Sequence, residues 1–358
     1  MAVIAGTTSC DDFLDREPMS SISPETYYST AAQLEANLND EYPNVLPSFG
    51  QWTYGIFGED KGTDNQIEVN ANDRYTQDRW KVPHSESDNW KFERIYRINF
   101  FLSEALPKFG EDMSGSQNTI SGSVATIKHY IGEMYFLRAY EYFKKLQLFG
   151  DFPIINQPLA DEMEALREAS KRFPRNEVAR FIISDLDKAY AYMSDVDMAT
   201  TRINKDVAML VKSRVALFEA TWLQNFKGTA FVPGGEGWPG ASLHNNYQYP
   251  SGNIDNEVKY FLEQAVEASK LVADKYKGSL TENTGVLQQS ADDPSNPYFD
   301  MFAQEDLSDV KEVLLWRQYA RGLSTHNINA AAGRGNYRIG LTRGFVQNFL
   351  MKAGTPVY

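Results

Sequence analysis

Ile127-Lys128-His129-Tyr130-Ile131-Gly132-Glu133-Met134-Tyr135-Phe136-Leu137-Arg138-Ala139-Tyr140-Glu141-Tyr142-Phe143-Lys144-Lys145-Leu146 is the stretch whose reading decides the fold. Ile127, Tyr130, Ile131, Met134, Leu137, Ala139, Tyr140, Phe143 and Leu146 recur at the spacing of a helix with a wide apolar face, and Gly150 supplies the C′ stop. The spacing therefore predicts a long helix within 119–149.

Working outward, the same signal returns on both sides. Ser23-Pro24-Glu25 combines a cap, a first-turn proline and an acid, and Tyr27, Tyr28, Ala31, Leu34 and Leu38 follow at helical spacing. A second helix begins near Trp90, with Ile95, Ile98, Phe101, Leu102, Ala105 and Leu106 on one face and Pro107 and Gly110 as its stop. Pro174 opens another through Val178, Phe181, Ile182, Leu186, Ala189 and Met193, and further helices are predicted over roughly 204–225 and 256–276. No strand alternation competes before residue 310; Val313-Leu314-Leu315-Trp316-Arg317 reads as a short buried strand. The expected fold is mainly α, a tetratricopeptide-like αα-hairpin solenoid with long loop insertions and little strand. The insertions are 43–89, 226–253 and 278–300, punctuated by Gly and Pro or rich in Asn, Asp and Ser.

Charge narrows the function. Thirty-five basic against 48 acidic residues leave a net charge of −13, without the basic footprint a nucleic-acid binder needs. The ligand expected is neutral or cationic. No run of 18 apolar residues exists to span a membrane. The lone cysteine, Cys10, excludes an intrachain disulfide and any Cys-based zinc site. It closes a run of apolar and small residues, Ala2 to Ser9, and precedes Asp11-Asp12, as the lipidated cysteine of a clipped bacterial lipoprotein signal would.

The motifs of common catalysts are missing. His84, His129, His244 and His326 have no metal-ligand spacing, no G-x-S-x-G elbow is present, and Gly333-Arg334-Gly335 does not continue as a dinucleotide fingerprint. Carboxylate pairs such as Asp60 with Asp64, or Asp292 with Asp293, are expected by chance among 48 acids, and solvation is their ordinary role. The oxygen-rich run Glu59 to Asn65 lacks the ligand alternation of a calcium loop and reads as a solvated turn. No cofactor and no catalytic residue is implied.

Aromatic residues are abundant, with 20 Tyr, 21 Phe and 6 Trp, and some fall in aperiodic segments beside polar groups. A sugar ring offers one face of C–H groups and a rim of hydroxyls, which an aromatic platform flanked by amide, carboxylate and guanidinium groups matches. The ligand-contacting set expected on that reasoning is Asp64, Arg79, Trp80, Trp238, Asn246 and Tyr247. The alternative for each large ring is that it folds back over the core. Trp90, Trp222 and Trp316 lie on or beside apolar faces and are assigned to packing.

Several segments, in this order, resemble the SusD/RagB family of nutrient-binding outer-membrane lipoproteins. They are Cys10-Asp11-Asp12-Phe13-Leu14-Asp15-Arg16-Glu17-Pro18, Trp90 through Asn99, Gly132 through Tyr142 continuing to Phe149-Gly150-Asp151-Phe152-Pro153-Ile154, and Arg202-Ile203-Asn204-Lys205 with Ala208 through Ala216. The resemblance implies a surface-exposed protein lipid-anchored to the outer membrane of Bacteroidetes, without catalysis. It would capture glycan for a SusC-like TonB-dependent transporter. A helical-repeat scaffold that binds protein alone and a glycoside hydrolase are the competing classes. On this reading residues 1–10 are a signal remnant, 11–225 the helical-repeat region, and 226–358 the loop-rich start of a C-terminal region. The stretch Phe349 to Tyr358 resembles a family segment that is normally internal, so a truncated chain with exposed apolar surface is expected.

Overall fold

The computed structural model describes residues 27–48, 60–68, 77, 89–110, 112–194, 198–287, 290, 292–320, 325, 339–351 and 353–357. The chain divides into two compact units. The first comprises residues through Tyr42, Arg94–Met198 and Ile203–Lys275; the second comprises Pro43–Glu93, Ala199–Arg202 and Tyr276–Tyr358. Residues 226–275 thus fold with the helical region. The structure is mainly α, as the periodicity predicts, and among the described residues no helix is long and apolar enough to cross a membrane.

The described helices are α1 Ala31–Val45, α2 Glu93–Phe109, α3 Val124–Phe149, α4 Met163–Ala169, α5 Arg175–Tyr192, α6 Lys205–Asn225, α7 Ile254–Tyr276, α8 Pro297–Met301 and α9 Arg343–Gln347. Local chemistry sets their ends. Ser123 Oγ accepts the Thr126 N–H at 3.4 Å to start α3, and Asn204 Oδ1 accepts the Val207 N–H at 3.1 Å to start α6. Gly150 closes α3 with a positive φ of 67°, its N–H donating to Leu146 O. The expected start at Ser23-Pro24-Glu25 lies outside the described residues; α1 Ala31–Val45 runs through Pro43, and α2 runs through the expected stop at Pro107 to Phe109.

In the first unit α5 packs between α3 and α6. Their interlocking faces carry Ile127, Ile131, Met134 and Leu137 from α3, Val178, Ile182, Leu186 and Ala189 from α5, and Ala208, Val215, Ala216 and Leu223 from α6, all buried. Gly132 lets α3 approach the end of α5, because a Cβ there would stand 2.8 Å from Met193 N and 2.9 Å from Ala189 O. The excursion between α3 and α5, which carries α4, is pinched shut by an antiparallel bridge between Phe152 and Phe173. α7 buries Phe261, Ala265, Ala268 and Val272, and Lys275 pairs with Asp206 of α6 at 2.6 Å.

Because α3 is buried nearly all round, its charged residues need partners inside the protein. Arg138 forks onto Asp185 of α5 (Nε–Oδ2 2.7 Å, Nη2–Oδ1 2.9 Å), and its Nη1 donates to Asn99 Oδ1 of α2 and to Asn156 O. Asn99 Nδ2 and Tyr142 O–H both donate to Ile155 O, and Ile155 N donates back to the Tyr142 oxygen at 2.7 Å. Arg138, Tyr142 and Asn99, three residues that carry the resemblance, thus form a clamp joining three helices to the 155–156 segment. Their role in this structure is architectural.

In the second unit β1 Gln66–Glu68 pairs antiparallel with β2 Ile339–Leu341, in the register Gln66 with Leu341, Ile67 with Gly340 and Glu68 with Ile339. Thr342 caps α9 through its hydroxyl, which accepts Phe345 N–H at 3.1 Å. The expected strand at 313–317 is not formed; its residues are half-buried or exposed. Trp316 is held by side-chain and backbone bonds to Thr200 (Nε1–Oγ1 2.8 Å, N–O 3.1 Å), so one tryptophan anchor replaces the ladder.

Candidate functional site

The insertion 226–253 is a folded cap on the first unit. Trp238, His244 and Tyr247 turn inward and tie it to the first unit around the start of α5. Trp238 Nε1–H donates to Asp151 Oδ2 at 2.7 Å, and the indole stacks on His244 with ring centroids 6.0 Å apart. His244 Nε2 lies 2.8 Å from Arg172 O. Tyr247 exchanges hydrogen bonds with the Asn176 side chain at 2.9 and 3.1 Å, and Tyr249 O–H donates to Pro233 O at 2.6 Å. Gly240 makes the seat for Trp238: a Cβ on it would meet the indole ring at 2.2 Å. Burial pushes both tyrosine hydroxyls well above their usual pKa, so they remain neutral hydrogen-bonding groups at physiological pH.

The far side of the cap is fixed by charge. Glu257 of α7 accepts from Arg180 Nε at 2.7 Å and Nη2 at 2.9 Å, from Asn176 Nδ2 at 3.0 Å and from Ser251 N at 3.2 Å. Burial alone would raise the Glu257 carboxyl, but these hydrogen bonds and the Arg180 charge hold it below the usual range.

Between this cap, the end of α3 and the start of α5 lies a cavity of about 500 Å³. Rings of Phe149, Trp222, Phe231 and Trp238 line it, together with Asp151, Arg172, Arg175, Gln147 and the backbone at Gly150 and Gly240. Leu148, Phe231 and Leu243 form an exposed apolar rim. Trp222 Nε1–H donates to Phe231 O at 3.0 Å, which fixes two of the walls to each other.

Arg175 is the polar centre of this wall. It is 3% exposed, and its Nε and Nη2 fork onto Glu219 of α6 at 2.9–3.1 Å. The guanidinium lies over the Trp222 ring, 4.1 Å from its centroid, and the backbone N–H donates to Asp151 Oδ1 at 2.9 Å. Burial raises the carboxyls of both Asp151 and Glu219 above their usual range, opposed by Arg175 and, for Asp151, also by the Trp238 N–H and Arg172.

The expected ligand-contacting residues are distributed as follows. Arg79, Trp80 and Cys10 lie outside the described residues. Asp64 is exposed in a turn of the second unit, where Thr63 Oγ1–H donates to Asp60 O and Thr342 Oγ1–H to Asp64 O. The structure brings Trp238, Asn246 and Tyr247 together in the cap. Trp238 is 5% exposed and offers the cavity only part of its ring, a correction to the open platform expected. The physical reason is its buried N–H, which needs an acceptor and finds Asp151. Tyr247 is likewise turned inward onto Trp238 and Asn176, whereas Asn246 is exposed at a left-handed φ of 55°. Sequence reasoning missed Asp151, Arg175 and Phe231, and placed Trp222 in packing although it also lines the cavity. Among the described residues no three His, Cys, Asp or Glu side chains gather as metal ligands.

A family model described as SusD-like, "Starch-binding associating with outer membrane", matches residues 12–217. The chain belongs to the SusD-like family. The match includes the Arg138 clamp and Asp151, Arg175 and Asp185, and stops before the cap. Two relatives from Formosa agariphila are SusD-like protein P2, 26% identical over 235 residues, and SusD-like protein P25, 25% identical over 233 residues. These matches take in 62% and 60% of this SusD-like chain but 43% and 41% of the relatives, so they span under half of either protein. A crystal structure of a SusD-like carbohydrate binding protein from Bacteroides fragilis NCTC 9343 superposes with a TM-score of 0.54 at 14% identity. It covers 93% of this chain and 56% of that one, a likeness of fold.

Proposed function

We propose that this chain captures a glycan at the cell surface without chemically altering it, and hands it to a SusC-like TonB-dependent transporter while held to the outer membrane by a lipid on Cys10. The observation that carries the reading is the cavity beneath the cap: ring walls beside a floor of paired guanidinium and carboxylate groups, in a chain of a family described as starch-binding. Both Asp151 oxygens and two of the Arg175 nitrogens bond protein groups, which fixes this floor in place. The Bacteroides fragilis relative, described as carbohydrate-binding, agrees in kind. Native affinity electrophoresis against a panel of polysaccharides tests it: at least one should retard the protein. Migration unchanged by every glycan would refute capture and favour a protein-binding scaffold. Release of reducing ends from a retarding glycan would refute the noncatalytic part. Co-purification of a large β-barrel partner with the Cys10-lipidated protein, lost on Cys10→Ser, tests the anchoring and delivery.

A further inference from the structure

Arg175 leaves one donor group over. Nε and Nη2 are spent on Glu219, while Nη1 has no hydrogen-bond acceptor among the described residues. The side chain is nonetheless almost wholly buried and lines the cavity, with Nη1 3.4 Å from where a Gly150 Cβ would stand. Nη1 itself keeps contact with solvent, so it can be reached from the cavity; a ligand that covers it without supplying an acceptor loses that hydration uncompensated, and one that brings an acceptor is favoured. A purely apolar ligand would leave it unsatisfied.

Charge selects further. Arg172 and Arg175 are matched by Asp151 and Glu219, so the formal charges around the cavity cancel. An anionic ligand would leave a buried negative charge without a partner, and the whole chain, at −13, repels polyanions at a distance. An uncharged polyol ring meets each demand. Its C–H face can lie on Phe231, which is 61% exposed at the mouth, one hydroxyl oxygen can accept from Arg175 Nη1, and another hydroxyl can donate to a remaining Asp151 lone pair.

We infer that the cavity between the 226–253 cap and the start of α5 binds a neutral pyranose unit of the captured glycan, anchored by Arg175 Nη1, and rejects uronate and sulfated sugars. This rests on the capture reading and adds the place and the chemical class. The test runs amylopectin, a β-1,3-glucan, a galactomannan and an arabinoxylan beside polygalacturonate, alginate and a sulfated galactan in affinity gels. Retardation by one or more neutral polysaccharides and by none of the acidic ones is expected.

The retarding glycan is then run against Phe231→Ala and Leu243→Trp. The first removes a rim ring while keeping the backbone carbonyl that holds Trp222; the second fills the mouth. Both should weaken binding at least tenfold with an unchanged circular dichroism melt. Arg175→Lys keeps the charge but loses the fork, and should weaken binding by a similar factor; Trp222 emission should respond to the glycan in the parent protein and not in Trp222→Phe. Retardation chiefly by the acidic panel overturns the neutral class. Retardation that Phe231→Ala and Leu243→Trp leave intact overturns this cavity as the site while capture stands. No retardation by any glycan overturns capture itself, and this inference with it.

Discussion

Replacing Gly132 by alanine sets two effects of known sign against each other. In an exposed helix interior the change stabilises by about 1 kcal/mol, because alanine loses less conformational freedom on folding. At residue 132 the new methyl would stand 2.8 Å from Met193 N, 2.8 Å from Met193 Cγ and 2.9 Å from Ala189 O. The first and last are backbone atoms, already bonded to each other at 2.9 Å where α5 ends, so neither can swing aside. Ordinary contact begins near 3.4 Å, so α3 and α5 must part by about half an ångström along a fully buried face. Overpacking of that kind costs about 1–3 kcal/mol, and with backbone on the far side the upper part of the range applies. The net expectation is destabilisation by about 1–2 kcal/mol, a fall in Tm of about 3–6 °C for a unit of this size. The assay is thermal unfolding by circular dichroism with a urea midpoint alongside. Gly344→Ala in α9, where an added Cβ meets nothing within 4 Å, is the internal control and should not lower stability. A Gly132→Ala protein at or above the parent Tm would refute the close-approach argument.

Arg138→Ala strips the partner from Asp185, which is fully buried, and should cost about 3–5 kcal/mol in urea unfolding; the apolar pair Arg138→Met with Asp185→Leu should recover most of that loss. Trp238→Phe keeps the ring but removes the donor to Asp151, predicting a loss of about 1–3 kcal/mol and faster limited proteolysis within 226–253 than elsewhere. Glu257 sets a pH dependence. Its folded pKa lies below the ordinary 4.5, so the unfolded state takes up the proton first, and its stabilising contribution, complete above 4.5, is lost as pH falls through the folded value. Unfolding midpoints measured from pH 6 to pH 3 should therefore fall less steeply in Glu257→Gln than in the parent.

The helices were legible because each carries its own evidence. The apolar faces of α2, α3, α5, α6 and α7 recur at 3.6-residue spacing over several turns, and Asn204, Pro174 and Gly150 mark ends within a few residues of those observed. The short elements were not legible. β1 and β2 are three residues each and some 270 positions apart, too short for a period and meaningful only as a pair. Val313–Arg317 had the composition of a strand, yet forms none.

The site divides along the same line. Aromatics clustered in an aperiodic, glycine-rich insertion singled out 226–253 as a candidate ligand segment, and in the structure Trp238 and Tyr247 bond inward to Asp151 and Asn176. Which rings face outward was not readable, because it depends on partners remote in sequence: Asp151, 87 positions before Trp238, and Asn176, 71 before Tyr247. Nothing in the sequence singles out Arg175, whose partners Glu219 and Trp222 lie 44 or more positions away. What the sequence by itself determined is the helical framework, the acidic charge that disfavours polyanionic ligands, and the family, since periodicity, composition and motif order are local or additive properties. What only the tertiary structure decided is that Arg138 and Tyr142 serve as a clamp, that Trp238 is spent on the fold, and that Arg175 keeps one nitrogen for the cavity. Hydrogen-bond satisfaction and burial are properties of pairs of residues, and only folding brings those pairs within reach.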